Sequence, residues 1–176
     1  MRRRTIFVAS LAALVLVGAL SYLLATRKPF EATASASPLL GKLAPAIDAR
    51  ELSGGRFDLA AQRGHVVVVN FWSSWCGPCV AEAPELSTFA WAERTRGVEL
   101  VGVVFNDTLA AARAFEAHYG SLYPSLVDPA GTIANRYGVN SPPTTYVIDR
   151  HGRVAVSLLG PVSARQLEAV VNRVRS

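Results

Sequence analysis

Two cysteines separated by Gly-Pro are the residues of this 176-residue chain best suited to covalent chemistry. Cys76 and Cys79 are its only cysteines, and they follow the run Val66–Trp72, whose β-branched residues predict a buried strand. The pair therefore falls where a strand should turn into a helix. Because two cysteines at this spacing can close a disulfide and open it again, the leading hypothesis is a redox centre.

The predicted helix start indicates how the two thiols would divide the chemistry. Unpaired N–H groups and the helix dipole favour a thiolate at Cys76. That thiolate would attack a disulfide, and Cys79, about one turn further on, would resolve the mixed disulfide. Pro78 is tolerated in the first helical turn, and Gly77 allows the backbone to approach closely.

A permanent structural disulfide and a zinc site are the competing interpretations of this pair. A disulfide across two residues closes a very small loop and removes little entropy from the unfolded chain, so it would stabilise the fold little. A zinc site needs four ligands, and the three histidines are scattered elsewhere in the sequence. We therefore expect neither a metal nor a cofactor.

The positive charge of the chain is confined to its N-terminal segment. The net charge is +5, and the five basic residues before residue 29 account for it, leaving 13 basic residues against 13 acidic ones. These five are Arg2, Arg3, Arg4, Arg27 and Lys28. Because the remainder of the chain is neutral, we expect no nucleic-acid partner.

An uncharged stretch separates the first three of these basic residues from the last two. Its apolar part, Ile6 to Ala25, is long enough to span a bilayer, and the preceding arginines favour a cytoplasmic N-terminus. We therefore predict a single-pass signal-anchor over residues 1–28, a linker over 29–40 and a domain over 41–176 on the extracytoplasmic side of the cell membrane. The alternative is a domain secreted after signal cleavage, although the apolar region of a signal peptide usually has about 7–15 residues.

Strands and helices alternate along the predicted domain. Ser53-Gly54-Gly55 between two short apolar segments predicts a β-hairpin over Ala46–Leu59. Further strands are predicted at 66–72, 98–105, 125–127, 144–148 and 154–159. Helices are predicted at 78–96, from the Thr108 cap to Tyr119, at 132–137, and from a Ser163–Gln166 capping box to Val174. This order predicts an α/β sandwich with a central mixed sheet flanked by helices and an added N-terminal β-hairpin.

The segment Phe71–Cys79 resembles the active-site segment of the thioredoxin superfamily. More closely, the chain from about Gly41 to Ser176 resembles the membrane-anchored TlpA/ResA/CcmG group, which implies a thioredoxin-like fold. Four features carry this likeness beyond the cysteines: Arg63-Gly64-His65 (lysine in place of His65 in the group), Asn70-Phe71-Trp72, the Cys79-x-x-Glu82-x-Pro84 pattern and the run from Pro143 to Asp149.

The resemblance implies roles for individual residues. Cys76 would be the attacking thiol, Cys79 the buried resolving thiol, and Pro143 a cis proline facing the pair. The substrate-binding residues would be Trp75, Gly77, Pro78, Pro142 and Pro143. Pro142 departs from the usual pattern, because it keeps a carbonyl but has no N–H to pair with a substrate backbone.

Glu82 is the predicted proton acceptor of the site. Cytoplasmic thioredoxins carry an aspartate at the position of Asn70, and an amide cannot accept a proton in its place. Glu82 follows Cys79 by about one helical turn, and a desolvated carboxylate there could take the proton of Cys79. The alternative is an exposed glutamate that complements the helix dipole.

The resemblance implies a membrane-tethered thiol–disulfide oxidoreductase. Its task would be to reduce disulfides of exported proteins, for example apocytochrome c, with electrons from a membrane thiol-relay protein. Two other classes of protein are the alternatives. A peroxiredoxin-type thiol peroxidase would carry Pro-x-x-x-Thr/Ser-x-x-Cys, but Val69 replaces that proline. A Sco-like copper-binding assembly factor would carry Cys-x-x-x-Cys and a distant histidine, and the present spacing is one residue shorter.

Overall fold

The computed structural model describes residues 13–23 and 31–175. The chain divides into two units, residues 1–30 and 31–176. In the first unit, residues 13–23 form helix α1. None of the helices in the described parts of the chain combines the length and apolar character needed to cross a membrane. The predicted anchor lies largely outside the described residues.

The second unit contains eight strands and four α-helices among its described residues. The strands are β1 (Thr33–Ala34), β2 (Asp48–Arg50), β3 (Arg56–Asp58), β4 (Val66–Trp72), β5 (Val98–Val104), β6 (Ser125–Leu126), β7 (Thr144–Ile148) and β8 (Val154–Leu159). The helices are α2 (Gly77–Glu93), α3 (Leu109–Tyr119), α4 (Thr132–Tyr137) and α5 (Ala164–Arg175), with a 3-10 turn at Leu59–Gln62.

Six of these strands form the predicted mixed sheet, in the order β1-β8-β7-β4-β5-β6. Strand β4 pairs parallel with β5 and antiparallel with β7. A parallel pair needs a crossover connection, and α2 supplies it between β4 and β5. In the antiparallel pair Phe71 lies opposite Thr144, so the end of β4 and the start of β7 meet at one edge of the sheet. The loops on which the predicted site depends therefore lie at this edge.

Strand β4 is buried on both faces, as a central strand should be. Because side chains alternate along a strand, Val67, Val69 and Phe71 pack into one core and Val66 and Val68 into the other. The first core contains the rings of Tyr137 and Tyr146, and the second contains residues of α2 and α5, namely Leu86, Phe89, Leu167 and Val171. Helix α2, which begins directly after Cys76 and contains Cys79, is thereby packed against the sheet.

Most predicted elements are confirmed. Strands β4, β7 and β8 and helices α3 and α4 have the predicted bounds, and β2 and β3 pair as the predicted antiparallel hairpin. Helix α2 begins at Gly77 and ends at Glu93, three residues before the predicted end. The chain turns there into β5 through Gly97, whose φ of +70° suits glycine.

The structure differs from the expectation of a linker over residues 29–40. Within the described part of that range, Thr33–Ala34 pair with Leu158–Leu159 of β8, and Ala32 is buried. An unpaired edge of β8 would leave backbone groups without partners, and this segment satisfies them. This pairing joins residues far apart in the chain, so the small and polar residues of the segment gave no sign of it.

The predicted capping box of α5 is only half formed. The Ser163 hydroxyl accepts a hydrogen bond from the Gln166 amide N–H, as in a capping box. The side-chain amide of Gln166 instead donates to the carbonyl of Ala32. Gln166 therefore ties α5 to the segment before β1.

Candidate active site

Cys76 and Cys79 form a disulfide at the N-terminus of α2. Their Cα atoms are 5.2 Å apart, and both residues are buried. Cys76 is the N-cap residue, and its Sγ atom accepts a hydrogen bond of 3.2 Å from the Cys79 N–H. Pro78 lies in the first turn, where a missing N–H costs nothing. After reduction, the same N–H group and the helix dipole would favour a thiolate at Cys76.

Glu82 is buried in this helix, with only 2% of its surface exposed, so the alternative of an exposed glutamate is wrong. Its carboxylate accepts hydrogen bonds of 3.0 Å from the Val162 N–H and from the side-chain amide of Asn70. Burial raises the pKa of Glu82 from 4.5 to about 7, although these two hydrogen bonds oppose the rise. A carboxylate with this pKa can gain and lose a proton near neutral pH. Its proton transfer with Cys79 stays a prediction.

Asn70 has a structural partner that the sequence did not indicate. Its Nδ2 group donates to the Glu82 carboxylate and to the Thr145 hydroxyl, each at 3.0 Å. Its Oδ1 atom is buried and accepts no hydrogen bond from the described residues. Because the amide faces the carboxylate with its donor, Asn70 holds Glu82 in place and favours its charged form.

The peptide bond between Pro142 and Pro143 is cis, which confirms the predicted isomer. Pro143 directly precedes β7, so this cis-proline segment (residues 142–143) lies at the sheet edge where β4 leads into the loop before Cys76. The Pro143 carbonyl accepts a hydrogen bond of 3.0 Å from the Gly160 N–H. The segment is therefore attached to the connection between β8 and α5.

The loop after β5 holds the residues before Cys76 through three hydrogen bonds. They run from Ser73 Oγ to the Phe105 carbonyl, from the Ser74 N–H to Asp107 Oδ2 and from Trp75 Nε1 to the Asn106 carbonyl. Trp75 is 58% exposed, so its indole lies on the surface beside the disulfide. Sequence reasoning missed this loop. Its one signal was Asp107 before the Thr108 cap, a pattern that indicates only a helix start.

The other predicted substrate-binding residues differ in exposure. Gly77 and Pro78 are exposed at the start of α2, whereas Pro142 is half-buried and Pro143 buried. Their contact with a substrate stays a prediction. Within residues 13–23 and 31–175, no group of three or more His, Cys, Asp or Glu side chains is arranged to hold a metal ion.

Comparison with known proteins gives consistent matches. The AhpC/TSA family profile matches residues 40–157. The thiol-disulfide oxidoreductase ResA of Bacillus thuringiensis is 31% identical over 135 residues, which cover 77% of this chain and 78% of ResA. The thiol:disulfide interchange protein HelX of Rhodobacter capsulatus is 36% identical over 128 residues, 71% of this chain and 70% of HelX.

A solved structure agrees with these sequence matches. The crystal structure of a DsbE-type thiol:disulfide interchange protein from Chlorobium tepidum superposes with a TM-score of 0.71 at 29% identity, over 77% of this chain and 96% of that one. The fold is thus thioredoxin-like, with the disulfide at the start of its first crossover helix. The chain belongs to the AhpC/TSA family and is a thiol–disulfide oxidoreductase similar to ResA and HelX.

Proposed function

We propose that this protein is a membrane-tethered, extracytoplasmic reductase of protein disulfides. The observation that carries the proposal is the Cys76–Cys79 disulfide at the start of α2, with the Cys79 N–H donating to the Cys76 sulfur. Such a site supports a thiolate at Cys76. The Gly-Pro dipeptide between the cysteines is typical of reducing thioredoxins. The arginines before the apolar stretch at residues 6–25 support the tether and its orientation.

The reaction starts from the reduced dithiol. The Cys76 thiolate attacks one sulfur of the substrate disulfide, forms a mixed disulfide and displaces a substrate thiolate, which takes a proton from water. The Cys79 thiol then gives its proton to the Glu82 carboxylate and attacks the Cys76 sulfur. The second substrate thiolate leaves and takes up a proton. Two electrons have passed to the substrate, and the protein is left with the disulfide that the structure contains.

The cycle needs a source of electrons outside the cytoplasm, where disulfides otherwise persist. We propose that a membrane thiol-relay protein reduces the Cys76–Cys79 disulfide by the reverse exchange. The substrates would be exported proteins with disulfides, for example apocytochrome c before haem attachment.

The contacts around the disulfide do not favour the two alternatives. Val69, which replaces the proline of the peroxidase pattern, is buried inside β4, and the Ser73 hydroxyl donates to the Phe105 carbonyl. For copper binding, no third His, Cys, Asp or Glu side chain is arranged with the cysteines among the described residues. A peroxide-consumption assay and a copper(I) retention assay after dialysis would each detect the corresponding activity.

The direction of the reaction is tested by the redox state of the cysteines in growing cells. Acid quenching followed by thiol alkylation should find Cys76 and Cys79 mainly reduced. A fully oxidised pair would contradict the reductase and favour an oxidase.

Cell fractionation and an alkaline phosphatase fused after Ser176 test the location of the domain, with a chain lacking residues 1–28 as control. Loss of phosphatase activity in that control alone supports export by the N-terminal segment.

The substrate is identified by a trapping variant. Cys79→Ser should accumulate mixed disulfides at Cys76, because the resolving thiol is absent. Non-reducing gels should show adducts that reductant releases, and the Cys76→Ser, Cys79→Ser double variant is the control. Adducts containing exported disulfide proteins are expected. Equal adduct patterns in the trap and in the double variant would contradict the mechanism.

A further inference from the structure

The connection between β8 and α5 joins the cis-proline segment to helix α2. At one end, the Gly160 N–H donates to the Pro143 carbonyl at 3.0 Å. Two residues later, the Val162 N–H donates to the Glu82 carboxylate, also at 3.0 Å. Val162 and Glu82 are both buried. Gly160 has a φ of +96°, which only glycine adopts readily. This connection (residues 160–163) is therefore held at defined points on both sides.

Glu85 supplies a second attachment from α2. Its carboxylate accepts a hydrogen bond of 2.9 Å from the N–H of Ala164, the first residue of α5. N–H groups in the first turn of a helix have no partner within the helix, and a carboxylate there also suits the helix dipole. Glu82 and Glu85 are three residues apart and so lie on the same face of α2. Their carboxylates bind N–H groups two residues apart, those of Val162 and Ala164.

We propose that Glu85 is a positioning residue for substrate binding. It fixes the start of α5, directly after the β8–α5 connection, to α2, and Gly160 in that connection binds the carbonyl of Pro143. The inference rests on the proposed function, because it assigns the cis-proline segment to the substrate side of the site. Glu85 lies six residues after Cys79, nearly two helical turns away, so its loss should weaken substrate binding and leave the redox chemistry of the cysteines unchanged.

The test is the reduction of insulin by the full chain with dithiothreitol as electron donor. Glu85→Ala should raise KM about fivefold, as expected for one lost hydrogen bond, with kcat within about twofold of wild type. Glu85→Gln keeps an acceptor oxygen and should restore a KM close to that of wild type. Glu99→Ala removes an exposed carboxylate from β5 and serves as the matched control. The redox potential of the cysteine pair should be the same in all four proteins.

A second readout does not depend on activity. Amide hydrogen exchange at Gly160 and Val162 should be faster in Glu85→Ala than in wild type, and unchanged in Glu99→Ala. A KM and exchange rates like those of wild type in Glu85→Ala would overturn the inference, as would an equal loss in Glu85→Gln. If wild type fails to reduce insulin, the proposed function fails, and the exchange at Gly160 alone then decides the role of Glu85.

Discussion

Replacing Glu82 by glutamine should remove a large pH dependence of stability. The Glu82 carboxyl group is buried, which raises its pKa from 4.5 to about 7 in the folded protein. Between these two pH values the folded state binds more protons than the unfolded state, so the free energy of unfolding falls as pH rises. The loss begins above pH 4.5 and is complete above about pH 7. A shift of this size corresponds to about 3 kcal/mol.

The assay is urea unfolding of the oxidised protein at a series of pH values from about 4 to about 8. Across this pH range the free energy of unfolding should fall by about 3 kcal/mol more in wild type than in Glu82→Gln, because glutamine has nearly the same shape and does not titrate. Other carboxylates contribute equally to both proteins, so the difference between the curves isolates Glu82. Parallel curves would refute the reasoning, since they would mean that Glu82 titrates alike in both states.

The same variant tests the catalytic role separately. If Glu82 accepts the proton of Cys79, Glu82→Gln should slow resolution of a preformed mixed disulfide at Cys76 by about 10²-fold near neutral pH. Stopped-flow measurement of substrate release gives this rate. An unchanged rate together with a changed stability curve would leave Glu82 a buried structural carboxylate without a catalytic role.

Two further substitutions test the packing that positions the site. Gly102→Ala should lower the free energy of unfolding, measured by urea unfolding, by about 2 kcal/mol, because an added Cβ would lie 2.7 Å from side-chain atoms of Trp72 and Ser125. A variant as stable as wild type would contradict this close contact. Glu93→Ala should cost about 3 kcal/mol, because Glu93 is buried and pairs with an arginine of α5. Arg96→Ala removes the exposed partner of the same carboxylate and should cost less than about 1 kcal/mol, so equal costs would be inconsistent with the burial.

Local patterns made much of the fold predictable. The apolar run Val66–Trp72 made the bounds of β4 predictable, because a central strand is buried on both faces. The capping residues and glycines around α3 and α4 made the bounds of these helices predictable. The cysteine pair of the candidate site was also predictable from a local pattern, since Cys76 and Cys79 are close in sequence. Strand β1 was missed because it forms only by pairing with β8, and that contact is not encoded in its own composition.

The contacts that set the properties of the site join residues far apart in the chain. The sequence predicted Glu82 as a desolvated proton acceptor but left an exposed position as the alternative. Its burial follows from the packing of α2 against α5, and this burial raises its pKa, whereas the hydrogen bonds from Asn70 and Val162 lower it. Nothing near Glu85 indicated that it binds the start of α5.

The sequence by itself determined the redox pair, its place after a buried strand, the order of strands and helices, and the resemblance to a family. These properties depend on residue type and short spacing. The tertiary structure decided the burial and raised pKa of Glu82, which residue binds the cis-proline segment and which loop holds the residues before Cys76. The physical reason is that desolvation and hydrogen bonds between distant segments exist only once the sheet and helices have packed together.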